Sequence, residues 1–172
     1  YVFSNGKPVQ FSARIAPQLV GLGLLEAIPE ETILAFQDPD DNNNDGISGR
    51  ASVVSDPVTG EQRLGRFGYK ASTASVEHQV AAAFNTDMGV MTSILPSPDC
   101  GTEQQDCDDA GSELNDEQLN KLVKYISLLG VPARRDYDVT EGETLFSEIG
   151  CADCHRPNMT TSPYHPLAEL RS

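Results

Sequence analysis

Two thiols separated by two residues and followed at once by an imidazole, Cys151-Ala-Asp-Cys154-His155, form the densest group of reactive side chains in the chain. The C-x-x-C-H spacing is that of covalent c-type haem attachment. A two-residue gap lets both thiols form thioethers with the two vinyl groups along one haem edge while the next side chain reaches the iron. His155 is therefore the expected proximal axial ligand. Two other chemistries draw on the same residues. A redox dithiol wants a strand before the motif and a helix after it, whereas here a helical pattern precedes and Arg156-Pro157 follows. A structural zinc would need a fourth ligand, and adjacent Cys154 and His155 are poorly arranged to share one tetrahedron.

The remaining cysteines, Cys100 and Cys107, lie in a polar, Gly- and Pro-punctuated stretch from Pro96 to Ser112, close enough in sequence for a loop disulfide. A disulfide and a covalent haem both indicate an oxidising, extracytoplasmic compartment, so the chain is expected to be periplasmic or secreted. The alternative is a pair of reduced surface thiols. A second candidate metal site is Asp41-x-Asn43-x-Asp45-Gly46-Ile47, the ligand spacing of an EF-hand-type calcium loop, with Ile47 contributing its carbonyl. Position twelve of that register is Ser52 rather than a bidentate Glu, so Asp38, Asp40 or Asp56 would have to substitute, and calcium stands beside a solvated acidic turn without metal.

What lies opposite His155 across the iron decides between electron transfer and catalysis. Met159 is four residues away, too short a tether at about 3.5 Å per residue to round the haem edge. His165, Met88, Met91 and His78 could reach it by folding, and Tyr164 is a weaker candidate. An open or externally supplied position is the other outcome.

The elements that must hold these groups are mostly helical. Ile15 to Phe36 reads as helix, with Leu19, Val20, Leu22, Leu25 and Ile28 at three- and four-residue intervals and a second short helix starting at Pro29. Ala51 to Val54 and Arg63 to Phe67 flank the turn cluster Asp56-Pro-Val-Thr-Gly60, which predicts a β-hairpin. Ser75 caps a helix that buries Val76, Val80, Ala83 and Phe84, exposes Glu77 and His78, and ends before Gly89. Asn115 or Asp116 opens an amphipathic helix with Leu119, Leu122, Val123, Ile126 and Leu129 on one stripe, stopped by Gly130 and Pro132. Thr140-Glu-Gly-Glu143 reads as a capping box opening a helix that turns Leu145, Phe146 and Ile149 inward and runs straight into Cys151.

The 172 residues carry 12 Lys or Arg against 26 Asp or Glu, a formal charge of −14. Such a field repels phosphate backbones and anionic headgroups, which disfavours nucleic-acid and membrane-surface roles and suits docking to a basic redox partner protein. Apolar stretches such as Leu22 to Ile28 are far shorter than the roughly 20 residues needed to cross a bilayer. Only 38% of the residues are hydrophobic and Trp is absent, so a group other than side chains is expected to complete the core.

Five blocks bear a likeness to a known family: Ala16 to Pro29, Asp45-Gly-Ile-Ser-Gly-Arg50, Leu64-Gly-Arg-Phe-Gly68, Ala83-Phe-Asn-Thr-Asp-Met-Gly89 and Gly150-Cys-Ala-Asp-Cys-His155. Together they resemble secreted bacterial di-haem c oxidoreductases, also labelled thiol oxidoreductases and related to bacterial di-haem cytochrome c peroxidases. The resemblance implies two cytochrome c-like domains with one haem each, one relaying electrons and the other meeting peroxide or a related oxidant; the C-terminal haem is the usual relay. Three departures stand out. The chain has one C-x-x-C-H, Tyr69 replaces the family's Trp, and only 17 residues follow His155. It is accordingly expected to be a fragment, with residues 1–135 forming an inter-haem helical region and 136–172 opening an incomplete C-terminal cytochrome c-like haem domain; a divergent single-haem form is the alternative. The expected fold is mainly α, cytochrome c-like helices with a small β-hairpin and long loops. The expected role is c-type haem electron transfer within a peroxidase-like oxidoreductase whose remainder carries a second haem. A pure electron carrier or cytochrome filament subunit is the alternative, and a calcium-stabilised structural module with an incidental thiol pair a third.

Overall fold

A computed structural model describes residues 6, 8, 11–100, 111–133, 135 and 138–172. The architecture is mainly helical. In chain order the elements are α1 (Leu22–Glu26), α2 (Glu30–Leu34), β1 (Val53–Ser55), β2 (Gln62–Leu64), α3 (Val76–Met88), α4 (Asp116–Ser127), α5 (Thr140–Glu148), α6 (Cys151–Cys154) and a 3-10 turn, Ala168–Leu170. β1 and β2 form an antiparallel hairpin with Val53 opposite Leu64. Its turn is fastened by Asp56, whose carboxylate accepts the amides of Val58 and Thr59, both at 3.0 Å.

The two long helices are built as their sequences demand. Ser75 Oγ accepts the amide of His78 at the start of α3, and Gly89 ends it in the left-handed conformation at φ 67°. Asn115 and Gln118 form a reciprocal capping box on α4. The two helices pack together around Phe67, Val76, Val80, Leu119 and Ile126, with Leu22, Phe84, Leu122 and Val123 against this cluster. Each such buried side chain contributes about 1.5–3 kcal/mol.

The N-terminal helix is shorter than its periodicity predicts. Residues 11–19 have no regular structure, and Ile15 and Leu19 are exposed. The helix starts only after Gly21, at φ 79°, whose amide donates to Leu129 O at 2.9 Å. The spacing of Leu and Ile is helical, but Ile15 and Leu19 stay exposed, and periodicity without burial does not hold a helix. Within α1, Gly23 lies against the end of α4: a Cβ there would be 2.1 Å from Ser127 O. Arg66 then closes α1, its Nη1 donating to the carbonyls of Leu25, Glu26 and Ile28 at 3.0, 3.2 and 2.6 Å. Glu26 reaches across to accept the amide of Val76 at 2.8 Å, adding a carboxylate to the N-terminus of α3.

Past α6 the chain doubles back as a strap. Ser162 N donates to Ala27 O at 2.8 Å, and Leu170 is buried beside Gly23. Among the described residues no helix is long and apolar enough to cross a membrane.

Candidate haem attachment site

The capping box expected at Thr140 is not what opens α5. Thr140 is already helical, and Asp138 accepts its amide at 3.1 Å, contacts with Thr140 that hold the Asp138 carboxyl below its usual range. The Thr140 hydroxyl has no capping bond, because the turn begins one residue earlier, at Val139. From there α5 runs to Gly150, which takes φ 83° and re-aims the chain into α6. This glycine is required by the backbone: left-handed geometry strains any L side chain, and a Cβ would also press on Asp153 at 3.1 Å.

Cys151–Cys154 make a single helical turn. Residues three apart on a helix share a face with Cβ atoms about 5–6 Å apart, so the two thiols stand side by side, and both are free. His155 leaves the helix in extended conformation at φ −100°, ψ 99°, while its amide stays bonded to Cys151 O at 2.9 Å. Its imidazole stands edge-on to Phe146, ring centroids 6.3 Å apart at 62°.

The apolar face of α5 does not point into the chain's core as its pattern predicts. No residue of α5 is buried, and Leu145, Phe146 and Ile149 are 49, 37 and 71% exposed. Among the described residues nothing covers these side chains. Two hollows flank the motif. One, of about 400 Å³, lies between Gly142, Phe146 and Pro157; the other, also about 400 Å³, has Cys154, Arg156 and Met159 on one wall and Phe36, Ile47 and Arg50 on the other. Arg156 lies over the Phe36 ring at 4.5 Å, which ties the motif to the segment after α2.

Paired free thiols, an exposed imidazole and an uncovered apolar helix face fit a haem. They do not fit zinc: among the described residues no three His, Cys, Asp or Glu converge as metal ligands. A family model described as "di-haem oxidoreductase, putative peroxidase" matches residues 4–168. The chain belongs to the di-haem oxidoreductases. Neither a curated protein nor a solved structure gives a match. Membership in this family makes the chain part of a haem-based redox system, in line with its sequence blocks.

The other candidate residues of this di-haem oxidoreductase fall in several places. Asp41 accepts the Gly46 amide with both oxygens, Asn43 accepts that of Asp45, and Asp45 accepts that of Ile47 at 2.8 Å, so the loop caps its own amides. Asp38, one of the carboxylates that could stand in for the missing Glu, is the hub of the loop: it accepts from Asn42 N, Asn42 Nδ2 and Asn43 N. The expected Cys100–Cys107 disulfide involves Cys107, which lies outside the described residues.

Of the candidates for the far side of the iron, Met91 is buried in the core and Met88 and Tyr164 are exposed. His165 is tied down by the Leu167 amide at Nδ1 (3.2 Å), with Nε2 4.0 Å from Glu26. His78 is not on an open face as expected. It is partly buried, with Nδ1 enclosed and unpartnered, and burial lowers its pKa, partly opposed by Asp56. None of these is brought beside His155. Sequence reasoning missed Arg66 and Glu26, the two side chains that fix α1 to α3; no periodicity marks them, and only contacts across 38 to 50 residues reveal them.

Proposed function

We propose that Cys151 and Cys154 hold a c-type haem as thioethers, that His155 is its proximal ligand, and that the chain transfers electrons within a peroxidase-like di-haem oxidoreductase outside the cytoplasm. One observation carries this reading: two free thiols on one face of a single helical turn, next to a helix whose apolar side chains are left uncovered by the described residues. Haem in that place would supply one-electron redox chemistry.

The chain's own residues do the rest. Gly150 turns the thiols outward, the Cys151 carbonyl holds the His155 backbone, and the edge of Phe146 limits rotation of the imidazole. Leu145, Phe146 and Ile149 offer an exposed apolar face that a haem there would cover. In this proposal residues 136–172 open a cytochrome c-like haem domain behind an inter-haem region, 1–135. The remainder of the enzyme, with a second haem domain, and a basic redox partner protein are its partners, and Cys100 and Cys107 form a loop disulfide. Calcium at Asp41, Asn43, Asp45 and the Ile47 carbonyl is a separable part of the proposal, since an ion there must displace the amides these side chains now accept.

The test is an optical spectrum, oxidised and dithionite-reduced, with the intact mass, of protein from a cytochrome c-maturing host. A Soret band that survives denaturing acid and a mass increased by one haem are expected. A mass equal to the polypeptide alone, with no Soret band, refutes the reading. Low-spin bands in both redox states favour electron transfer; high-spin ferric haem with peroxide turnover moves the assignment to catalysis.

A further inference from the structure

We propose that the hollow between residues 12–19, α1 and α3 is a binding site for a carboxylate carried on a flat apolar body. It encloses about 580 Å³, within the range of small-ligand sites. Two of the 12 basic residues of a protein with net charge −14 converge on it, Arg14 and Arg66. Neither is ion-paired among the described residues.

Arg66 uses Nη1 alone to close α1, so its Nη2 and Nε have no protein partner there. Arg14 donates from Nε to Ser12 at 3.3 Å, leaving both Nη groups without one. Gln79 lends only its carbonyl oxygen, to Thr73 Oγ1 at 2.8 Å, and its amide NH₂ is unclaimed. The hollow is thus set with donors. Two guanidinium forks match a carboxylate bidentately.

The floor is apolar, made by Leu22, Leu25 and Phe67, and the Arg14 guanidinium lies 5.2 Å from the centre of the Tyr69 ring, which sets an aromatic side chain beside the donors. Asp87 on the rim disfavours a dianion such as phosphate more than a single carboxylate. Two sources share this chemistry. One is a free aromatic carboxylate. The other is the propionate edge of a second haem borne elsewhere in the enzyme, since the family is di-haem and this chain has one C-x-x-C-H; that source alone rests on the haem reading above.

The experiment is calorimetric titration of the haem-loaded protein with sodium benzoate, in wild type, Arg14→Gln and Ala83→Leu. Arg14 is on an irregular segment, and Ala83 lines the hollow from α3, so both variants are expected to fold. Saturable binding, about tenfold weaker in Arg14→Gln and abolished in Ala83→Leu, supports the site and a free ligand. In the whole enzyme with both haems, loss of benzoate binding together with an Arg14→Gln shift in the midpoint potential of one haem assigns the site to a propionate. Benzoate heats unchanged by Arg14→Gln overturn the proposal. So does the absence of both binding and a potential shift. Benzoate binding to a protein that lacks covalent haem would leave this site standing and remove the haem assignment.

Discussion

Gly23→Ala separates two effects that usually run together. In an ordinary helix interior the change stabilises by about 0.5–1 kcal/mol. Here the new Cβ would stand 2.1 Å from Ser127 O and 2.8 Å from both Ser127 C and Leu170 Cδ1. Two of those three atoms are backbone and cannot swing away, so α1 must retreat from the end of α4 by over an ångström to reach the 3.4 Å of ordinary contact. That retreat stretches the 2.9 Å bond from Gly21 N to Leu129 O beyond useful range. Overpacking at about 1–3 kcal/mol and a lost hydrogen bond at about 1 kcal/mol outweigh the helix gain, for a net loss of about 2 kcal/mol. At this chain length that is a fall in Tm of about 4–8 °C. Differential scanning calorimetry of the haem-loaded protein measures it, with Gly130→Ala as the control. Gly130 follows the same helix, has open space at its Cβ and a φ outside the left-handed region, so alanine there is expected to be neutral or slightly stabilising. A Gly23→Ala protein melting within 1 °C of wild type, or above it, would refute the close approach of α1 and α4.

Asn115→Ala removes the capping box of α4 and is expected to cost about 1 kcal/mol, seen as a Tm about 2–4 °C lower. The pKa of His78 is lowered by burial, so below its ordinary value of 6.5 the unfolded chain takes up the proton first. Stability present above pH 6.5 therefore falls as the solution is acidified toward the folded-state pKa; His78→Leu is expected to flatten that slope in denaturant titrations between pH 7 and 5. Carboxylates held down by loop contacts (Asp38, Asp56 and Asp138) lose their contributions only below about pH 4, a separate window. Replacing Cys151 and Cys154 together by Ser should abolish haem retention in denaturing acid, whereas either single change should leave haem on one thioether by intact mass. Calcium titration is expected to give only millimolar binding, since Ser52 replaces the bidentate Glu and the loop oxygens already accept amides; a submicromolar Kd would contradict this.

Short-range features were legible in the sequence. Ser75, Gly89, Asn115 and the Asp56 to Gly60 turn each act through neighbours within a few residues, and each forms the structure its residue type predicts. The helical stripe of α4 likewise faces the core. The capping box at Thr140 did not form and His78 is half-buried rather than exposed; two expectations about apolar faces failed for opposite reasons. Ile15 and Leu19 had helical spacing but stay exposed and form no helix. Leu145 and Phe146 do lie on a helix, with Ile149 at its end, but the described residues leave their apolar face uncovered, because a sequence pattern says which side is apolar and not what covers it. The attachment motif was visible because covalent chemistry fixes its spacing. The tie from Glu26 to α3 and the cap by Arg66 were invisible because side-chain bonds across tens of residues follow no period.

The strap after α6 separates what anchors the site from what fills it. One end of the excursion that carries the thiols is pinned where Gly21 N meets Leu129 O, the other where Ser162 N meets Ala27 O, so both feet stand on the flanks of α1. The excursion is a bucket handle hinged on a finished pail. Closing so long a handle costs only slowly growing entropy, and its feet are formed by groups that need nothing from Cys151, Cys154 or His155. The contacts that anchor the excursion are thus separate from the groups that would hold a haem, and a change at Cys151, Cys154 or His155 leaves both feet in place.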